Sequence, residues 1–335
     1  MASTPEGRRL TERHRSAQQQ VRDDFLAEFI ALWALLDSTR LDDTGPGWIQ
    51  AVTRVVRAFR IESAELAATY FVDFRSLEAP SSPATPRIPG GIVDLSELDS
   101  RPGGPVSPPA TARTGRPPRR RQDGFQGRRP RPEVIPEPRN SSVRFEFDED
   151  AFRRAGERRT EVRIEVPDLD TDRLDRATEV SLIVTGPVGQ KSKRSRGKTL
   201  QQARDESFVE SSGAATRQVL TGGRQSLLTL LDEDPQAVGW ARVTDGDPCS
   251  FCAMLSSRGI VYNTETSAAF QAHDGCACTA EPAYSRGAPL PGRAAEFQRL
   301  WNEHIRGRYS GAEARRQWRR LYEQMQREAQ REQIA

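Results

Sequence analysis

All four cysteines of this 335-residue chain lie between Cys249 and Cys278, and one of its three histidines, His273, lies among them. They read Cys249-Ser-Phe-Cys252, then twenty residues, then His273-Asp-Gly-Cys276-Ala-Cys278. Each short half is a turn that can aim two soft ligands at one point, and the spacing is that of a metal site. An ion shared by the two halves forces the loop between them to bring the second pair back to the first. No other stretch of the sequence constrains the fold so tightly.

Zinc suits thiolate and imidazole donors in a tetrahedral set. Five candidates are present for four positions. Cys249, Cys252, His273 and Cys276 form two matched knuckles, and Cys278 could replace His273 or Cys276. A full set of protein ligands leaves no position for water, so the expected zinc is structural, with no catalytic residue assigned. It would contribute on the order of 10 kcal/mol to local folding. Other readings of the same cysteines are buried reduced thiols, two disulfides or a redox dithiol. The N-terminus, MASTPEGRRLTERHRS, has no apolar signal-peptide core, so no oxidising compartment is expected. No βαβ pattern surrounds Cys249-x-x-Cys252 to suggest a redox motif. Pro248-Cys249-Ser-Phe-Cys252 also matches half of the zinc nucleobase deaminase signature, but the required upstream His-x-Glu is missing. The only histidine before Cys249 is His14, followed by Arg15-Ser16, which excludes that chemistry.

The remaining composition points to a helical, extended protein. Hydrophobic residues make up 36% and mean hydropathy is −0.70, low for one compact globule. Fifty Lys and Arg face 47 Asp and Glu, and a net charge of +3 does not by itself argue for nucleic acid. The longest apolar run, Phe25 to Leu36, contains a glutamate and is too short to span a bilayer. No membrane partner and a cytoplasmic site of synthesis are therefore expected.

Three organisational segments follow. In residues 1–78, Val21, Phe25, Phe29, Leu32, Trp33 and Leu36 recur at helical spacing. Gly45-Pro46-Gly47 is expected to break the pattern, with a second helix from Trp48 and a third capped by Ser63, giving a small bundle. In residues 79–142, fourteen prolines lie between Pro80 and Pro138. Arginines cluster at Arg113, Arg116, Arg119, Arg120, Arg121, Arg128, Arg129 and Arg131. That composition predicts a disordered linker. Arg119, Arg120, Arg121, Arg128 and Arg129 are candidate contacts to DNA phosphates, against the alternative of a soluble spacer.

Residues 143–335 are expected to form a mainly helical domain. Val143–Phe147 and Val162–Val166 alternate and could pair as a short β-hairpin. Thr171 could cap a helix ending at Gly186-Pro187. The basic run Lys191, Lys193, Arg194, Arg196 and Lys198 precedes a helix from about Thr199, which Gly222-Gly223-Arg224 should interrupt. The Cys/His loop occupies 245–285, and C-terminal helices occupy 293–330. Ser310-x-x-Glu313 reads as a capping box for the last of them. His304 falls on a helix surface, with nothing nearby to form a catalytic pair. Neither a phosphate-binding glycine loop nor a Gly-x-Ser-x-Gly elbow occurs.

The run Gly239-Trp-Ala-Arg-Val-Thr-Asp-Gly-Asp-Pro-Cys-Ser-Phe-Cys-Ala-Met-Leu-Ser-Ser-Arg-Gly259, followed by Val261-Tyr262 and His273-Asp-Gly-Cys-Ala-Cys-Thr-Ala-Glu-Pro282, resembles the MuF-like minor capsid proteins of tailed actinobacteriophages. The resemblance extends through Gly222-Gly223-Arg224, Leu300-Trp301-Asn302-Glu303 and Trp33-Ala-Leu-Leu-Asp37. Only the Pro/Arg-rich segment stands apart as an insertion. The resemblance implies a virion protein for phage head morphogenesis, assembled in the bacterial cytoplasm and placed at the portal vertex or capsid interior. Its implied partners are the portal protein, the major capsid or scaffold protein, and phage DNA during packaging or delivery. Two other classes compete: a capsid maturation protease, which some relatives are labelled, and a zinc-bearing nucleic-acid-binding protein suggested by the basic runs.

Overall fold

The computed structural model describes residues 1–79, 167, 169–260, 270 and 272–334. Helix α1 spans Pro5–Trp33 and α2 spans Leu41–Glu78. Thr4 starts α1: its Oγ1 accepts the Gly7 amide at 2.9 Å, and Pro5 takes the first helical position, where its missing N–H costs nothing. The apolar stripe of α1 faces α2, burying Val21, Phe25, Phe29 and Trp33.

The expected break at Gly45-Pro46-Gly47 does not occur, and α2 runs through it and through Ser63 as one helix. Asp42 and Asp43 complement the positive end of the helix in its first turn. Pro46 removes one hydrogen bond near that end, while packing of the buried Trp48 two residues later holds the helix together. Ser63 caps nothing. It is buried mid-helix, where its hydroxyl accepts the Gly223 amide at 3.0 Å and donates to Gln18 Oε1 at 2.6 Å.

The chain resumes as α3 (Thr171–Thr185), α4 (Pro187–Ser195) and α5 (Leu200–Glu233). Asp170, not Thr171, caps α3, its carboxylate accepting the Arg173 amide at 3.0 Å. Thr199 and Gln202 form a reciprocal capping box on α5. Gly222-Gly223 does not interrupt α5. A Cβ at Gly222 would lie 2.1 Å from the Arg60 carbonyl oxygen, and one at Gly223 would lie 2.7 Å from Ser63 Oγ. The two glycines therefore let α5 cross α2 backbone to backbone.

That crossing gives residues 1–78 and the helices after residue 170 a common core. Phe25, Phe29, Trp33, Trp48, Val52 and Val56 pack with Leu182, Val219 and Leu220. A buried ion pair reinforces it. Arg60 Nη1 meets Asp175 Oδ1 at 2.9 Å, and its remaining donors reach the Thr178 hydroxyl at 2.6 Å and the Gln218 carbonyl at 3.2 Å. Arg57 Nε donates to the same aspartate at 2.6 Å.

After α5 come β1 (Gly239–Val243), α6 (Ser250–Ser256), β2 (Thr279–Ala283), α7 (Ala294–His304) and α8 (Gly311–Ile334). The strands pair antiparallel, Gly239 opposite Ala283 and Val243 opposite Thr279. This two-stranded ribbon, absent from the sequence expectation, pins together the two ends of the cysteine loop. The strands expected at 143–147 and 162–166 lie outside the described residues, as do linker residues 80–142. Helices α6, α7 and α8 bury Ala253, Met254, Phe297, Ile305, Ala314, Trp318 and Tyr322 against one another. Glu313 bonds Arg316 and Gln317. Among the described residues no helix is long and apolar enough to cross a membrane. The described architecture is mainly α, as the sequence predicts.

Candidate metal centre

Each half of the cysteine motif is held by a different helix. Cys249 is the N-cap of α6, its Sγ accepting the Cys252 amide at 3.4 Å, so Cys249 and Cys252 project to the same side one turn apart. Helix α8 clamps this half: Trp318 Nε1 donates to the Ser250 carbonyl at 2.7 Å, and the Tyr322 hydroxyl donates to the Pro248 carbonyl. The second half docks on α5. The Gly275 amide donates to the Gly213 carbonyl at 2.9 Å, and Arg217 Nε meets Asp274 Oδ1 at 2.7 Å. Gly275 sits at φ +75°, the left-handed conformation that closes the turn from His273 to Cys276.

The two halves converge. His273 Nε2 lies 2.8 Å from Cys249 Sγ and 3.4 Å from Cys252 Sγ, and Cys252 Sγ lies 3.5 Å from Cys276 Sγ. All five predicted ligands are gathered into two triads that share Cys252: Cys249, Cys252 and His273, and Cys252, Cys276 and Cys278. Within each triad the ligand atoms lie within 4.8 Å of one another. Around a tetrahedral zinc, bond lengths of about 2.0–2.3 Å place neighbouring ligand atoms about 3.6–3.8 Å apart; the 3.4 and 3.5 Å separations lie close to this, while the 2.8 Å contact of Cys249 with His273 is a hydrogen bond that an ion would open. The histidine is prepared for the same role. Its Nδ1 lies 2.7 Å from the Asp274 carbonyl, an acceptor for its N–H, which leaves the Nε2 lone pair facing the sulfurs.

The electrostatics agree with a cation site. Hydrogen bonds from the Cys252 thiol and amide, together with His273, draw the Cys249 thiol down to about 5 against its partial burial. Cys276 is drawn down by the thiols of Cys252 and Cys278, with help from the Arg224 and Arg242 charges. Cys252 is pushed up, since it shares its proton with its neighbours. Burial opposes protonation of His273, but its bond to the Asp274 carbonyl and the Cys249 charge outweigh it and raise its pKa. The cluster therefore carries thiolate character that a divalent ion would extend to every coordinating sulfur.

Taken alone, Cys249 and His273 have the spacing of a nucleophile–base pair. Cys252, 3.4 Å from the same imidazole nitrogen, makes that pair one corner of a multi-thiol cluster. Among the described residues the other histidines join no such group. His14 is buried and stacked on Tyr70 with ring centres 4.3 Å apart, and His304 is exposed. The candidate DNA contacts Arg119, Arg120, Arg121, Arg128 and Arg129 lie outside the described residues. Residues that motif reading left unassigned also touch the cluster. Arg224 on α5 donates to the carbonyls of Cys276 and Cys278, and Phe270 lies against the guanidinium.

Comparison with known proteins agrees with the phage resemblance at a coarser level. Residues 171–304 match the model of a family described as VG15 protein. The match points to a phage, viral-gene family for this region. It begins at the first residue of α3 and ends at the last residue of α7, so it contains the whole Cys/His cluster. No curated protein and no solved structure matches the chain.

Proposed function

We propose that this chain is a phage minor capsid protein of the MuF-like kind, associated with the portal, that aids procapsid assembly and DNA packaging or delivery. The observation that carries the reading is the Cys/His cluster, built on a sequence run resembling MuF-like proteins and lying inside the region matched by a phage family. A structural zinc held by four of Cys249, Cys252, His273, Cys276 and Cys278 would fasten α6 and the α8 clamp to α5. Its role is assembly, not catalysis. Its partners are the portal protein, the major capsid or scaffold protein and, through the arginines of 113–131, phage DNA.

Particles from two deletions test this reading. Removing residues 101–139 should leave incorporation into heads intact and lower packaged or delivered DNA. Deleting 245–285 should abolish incorporation. Normal infectious particles from a phage lacking the gene would refute the morphogenesis role. The 2.8 Å contact between Cys249 and His273 favours one second reading, capsid maturation protease. It predicts uncleaved capsid subunits in the gene deletion, rescued by wild type but not by Cys249→Ser.

A further inference from the structure

Helix α5 meets α2 through Gly222-Gly223, and the next side chain, Arg224, enters the cysteine cluster. Arg224 is buried. Its Nε donates to the Cys278 carbonyl at 3.1 Å and its Nη2 to the Cys276 carbonyl at 2.6 Å. Its guanidinium lies 4.9 Å from the centre of the Phe270 ring. Arg242 sits over the same ring at 3.8 Å, and Trp240 stacks on it at 5.1 Å. Among the described residues no carboxylate pairs with Arg224, and the carbonyls it meets belong to two cysteines of the cluster. A buried guanidinium without a carboxylate needs another source of negative charge. A zinc ion with four thiolates carries 2−, and one with three thiolates and an imidazole carries 1−. Either would supply that charge where Arg224 sits.

We propose that Arg224 is a positioning residue of the metal centre: its two forked bonds fix the Cys276-Ala-Cys278 arm through the main chain, and its buried charge balances the anionic metal–thiolate group. The inference rests on the metal-centre reading above. It gives the Gly-Gly-Arg run one purpose in two parts. The glycines bring α5 against α2, and the arginine on the next residue ties that helix to the metal. Lysine could keep the charge but not the fork, because a single ammonium cannot reproduce the planar donor pair. Methionine keeps much of the volume and loses both.

The test is metal affinity in the full chain, measured by competition with a chromophoric chelator for zinc. Cobalt spectra of wild type, Arg224→Lys and Arg224→Met accompany it. Loss of an outer partner of this kind lowers metal affinity roughly 10–100-fold, and that is expected for Arg224→Met, with Arg224→Lys between it and wild type. The sulfur-to-cobalt charge-transfer band should weaken in Arg224→Met as the Cys276-Ala-Cys278 arm loosens. A merely structural role would leave that band unchanged in folded protein. Should Arg224→Met fail to fold, Arg224→Lys and Phe270→Leu carry the same comparison. Equal affinity and equal band intensity in wild type and a folded variant overturn the role of Arg224 alone. A wild-type chain that takes up neither zinc nor cobalt overturns the metal centre together with it.

Discussion

Replacing Gly222 by alanine pits two opposite effects against each other in one helix. Alanine gains about 1 kcal/mol over glycine in a helix interior. At Gly222 the new methyl would lie 2.1 Å from the Arg60 carbonyl oxygen and 2.8 Å from Arg60 Cγ. Relieving that overlap needs a displacement of roughly 1–1.5 Å to restore ordinary contact distances. The obstructing atom is backbone of α2, so no side chain can swing away. The shift would also strain the bonds from Arg60 to Asp175, Thr178 and Gln218. Overpacking of this kind costs about 1–3 kcal/mol and more where a rigid partner cannot yield. The upper end should apply, leaving a net loss of about 2 kcal/mol after the propensity gain. Gly213, in the same helix, is the control. A methyl there comes no closer than 3.4 Å to any neighbour, so Gly213→Ala should be neutral or gain up to about 1 kcal/mol. Urea unfolding of both variants, followed by far-ultraviolet circular dichroism in excess zinc, reads the two signs. A Gly222→Ala midpoint at or above wild type, with an unchanged slope, would refute the close crossing of α2 and α5.

Three further outcomes are expected. Burial pulls His14 down to about 3, so between that value and the unfolded value of about 6.5 only the unfolded chain takes up the proton, and stability falls as pH drops through this window. At pH 5 the loss is about 2 kcal/mol, and His14→Gln should flatten that part of the stability–pH curve; an unchanged curve would count against neutral burial. Asp175→Ala strips the buried Arg60 of its counter-charge and should cost about 3–5 kcal/mol, read as a lowered urea midpoint, whereas a cost below 1 kcal/mol would mean that the pair is idle. Chelation should speed hydrogen exchange in 245–260 and 290–334 while 1–78 and 200–233 keep their protection, and uniform loss of protection would contradict a local metal fastener.

The metal ligands were the most legible part of the sequence because their chemistry is written as spacing. Cys249, Cys252, His273, Cys276 and Cys278 all arrive in one cluster without any knowledge of the helices that deliver them. Helix existence was legible for the same kind of reason: the stripes of α1, α7 and α8 repeat at helical spacing and face inward. Boundaries were less so. Gly45-Pro46-Gly47 and Gly222-Gly223 are local breakers, and in both places the helix continues because a neighbouring element packs against the glycine. Gly45 faces Pro187, and Gly222 faces the Arg60 backbone. The strands β1 and β2 gave little warning. Gly239–Val243 has four consecutive buried residues and no alternation, and Thr279–Ala283 contains Glu281 and Pro282, poor strand formers. Their pairing follows from closure of the cysteine loop. Arg224 was quoted within a motif without a role, since one-dimensional spacing cannot show that a helical arginine ends on two cysteine carbonyls.

The placement of the centre suggests why such a protein would use a metal at all. Helices α6, α7 and α8 have their own small core, centred on Phe297 and Trp318. The core of α1, α2, α3 and α5 is larger and shares none of those side chains. The β1–β2 ladder is one link between them, and it has only five residues on each strand. The second link is the cluster itself, in which the half clamped by α8 meets the half docked on α5. Two packed groups joined by a short two-stranded ribbon alone could swing about it, because such a ribbon is marginal by itself. A tetrahedral ion would add fixed bonds at the far side of the ribbon and remove that freedom. The charged face of α8, with Arg315, Arg316, Arg319 and Arg320 exposed, would then be held in a set orientation to the rest of the protein. Such a fixed orientation would suit the proposed place in a larger particle, and it would need no open coordination position on the metal.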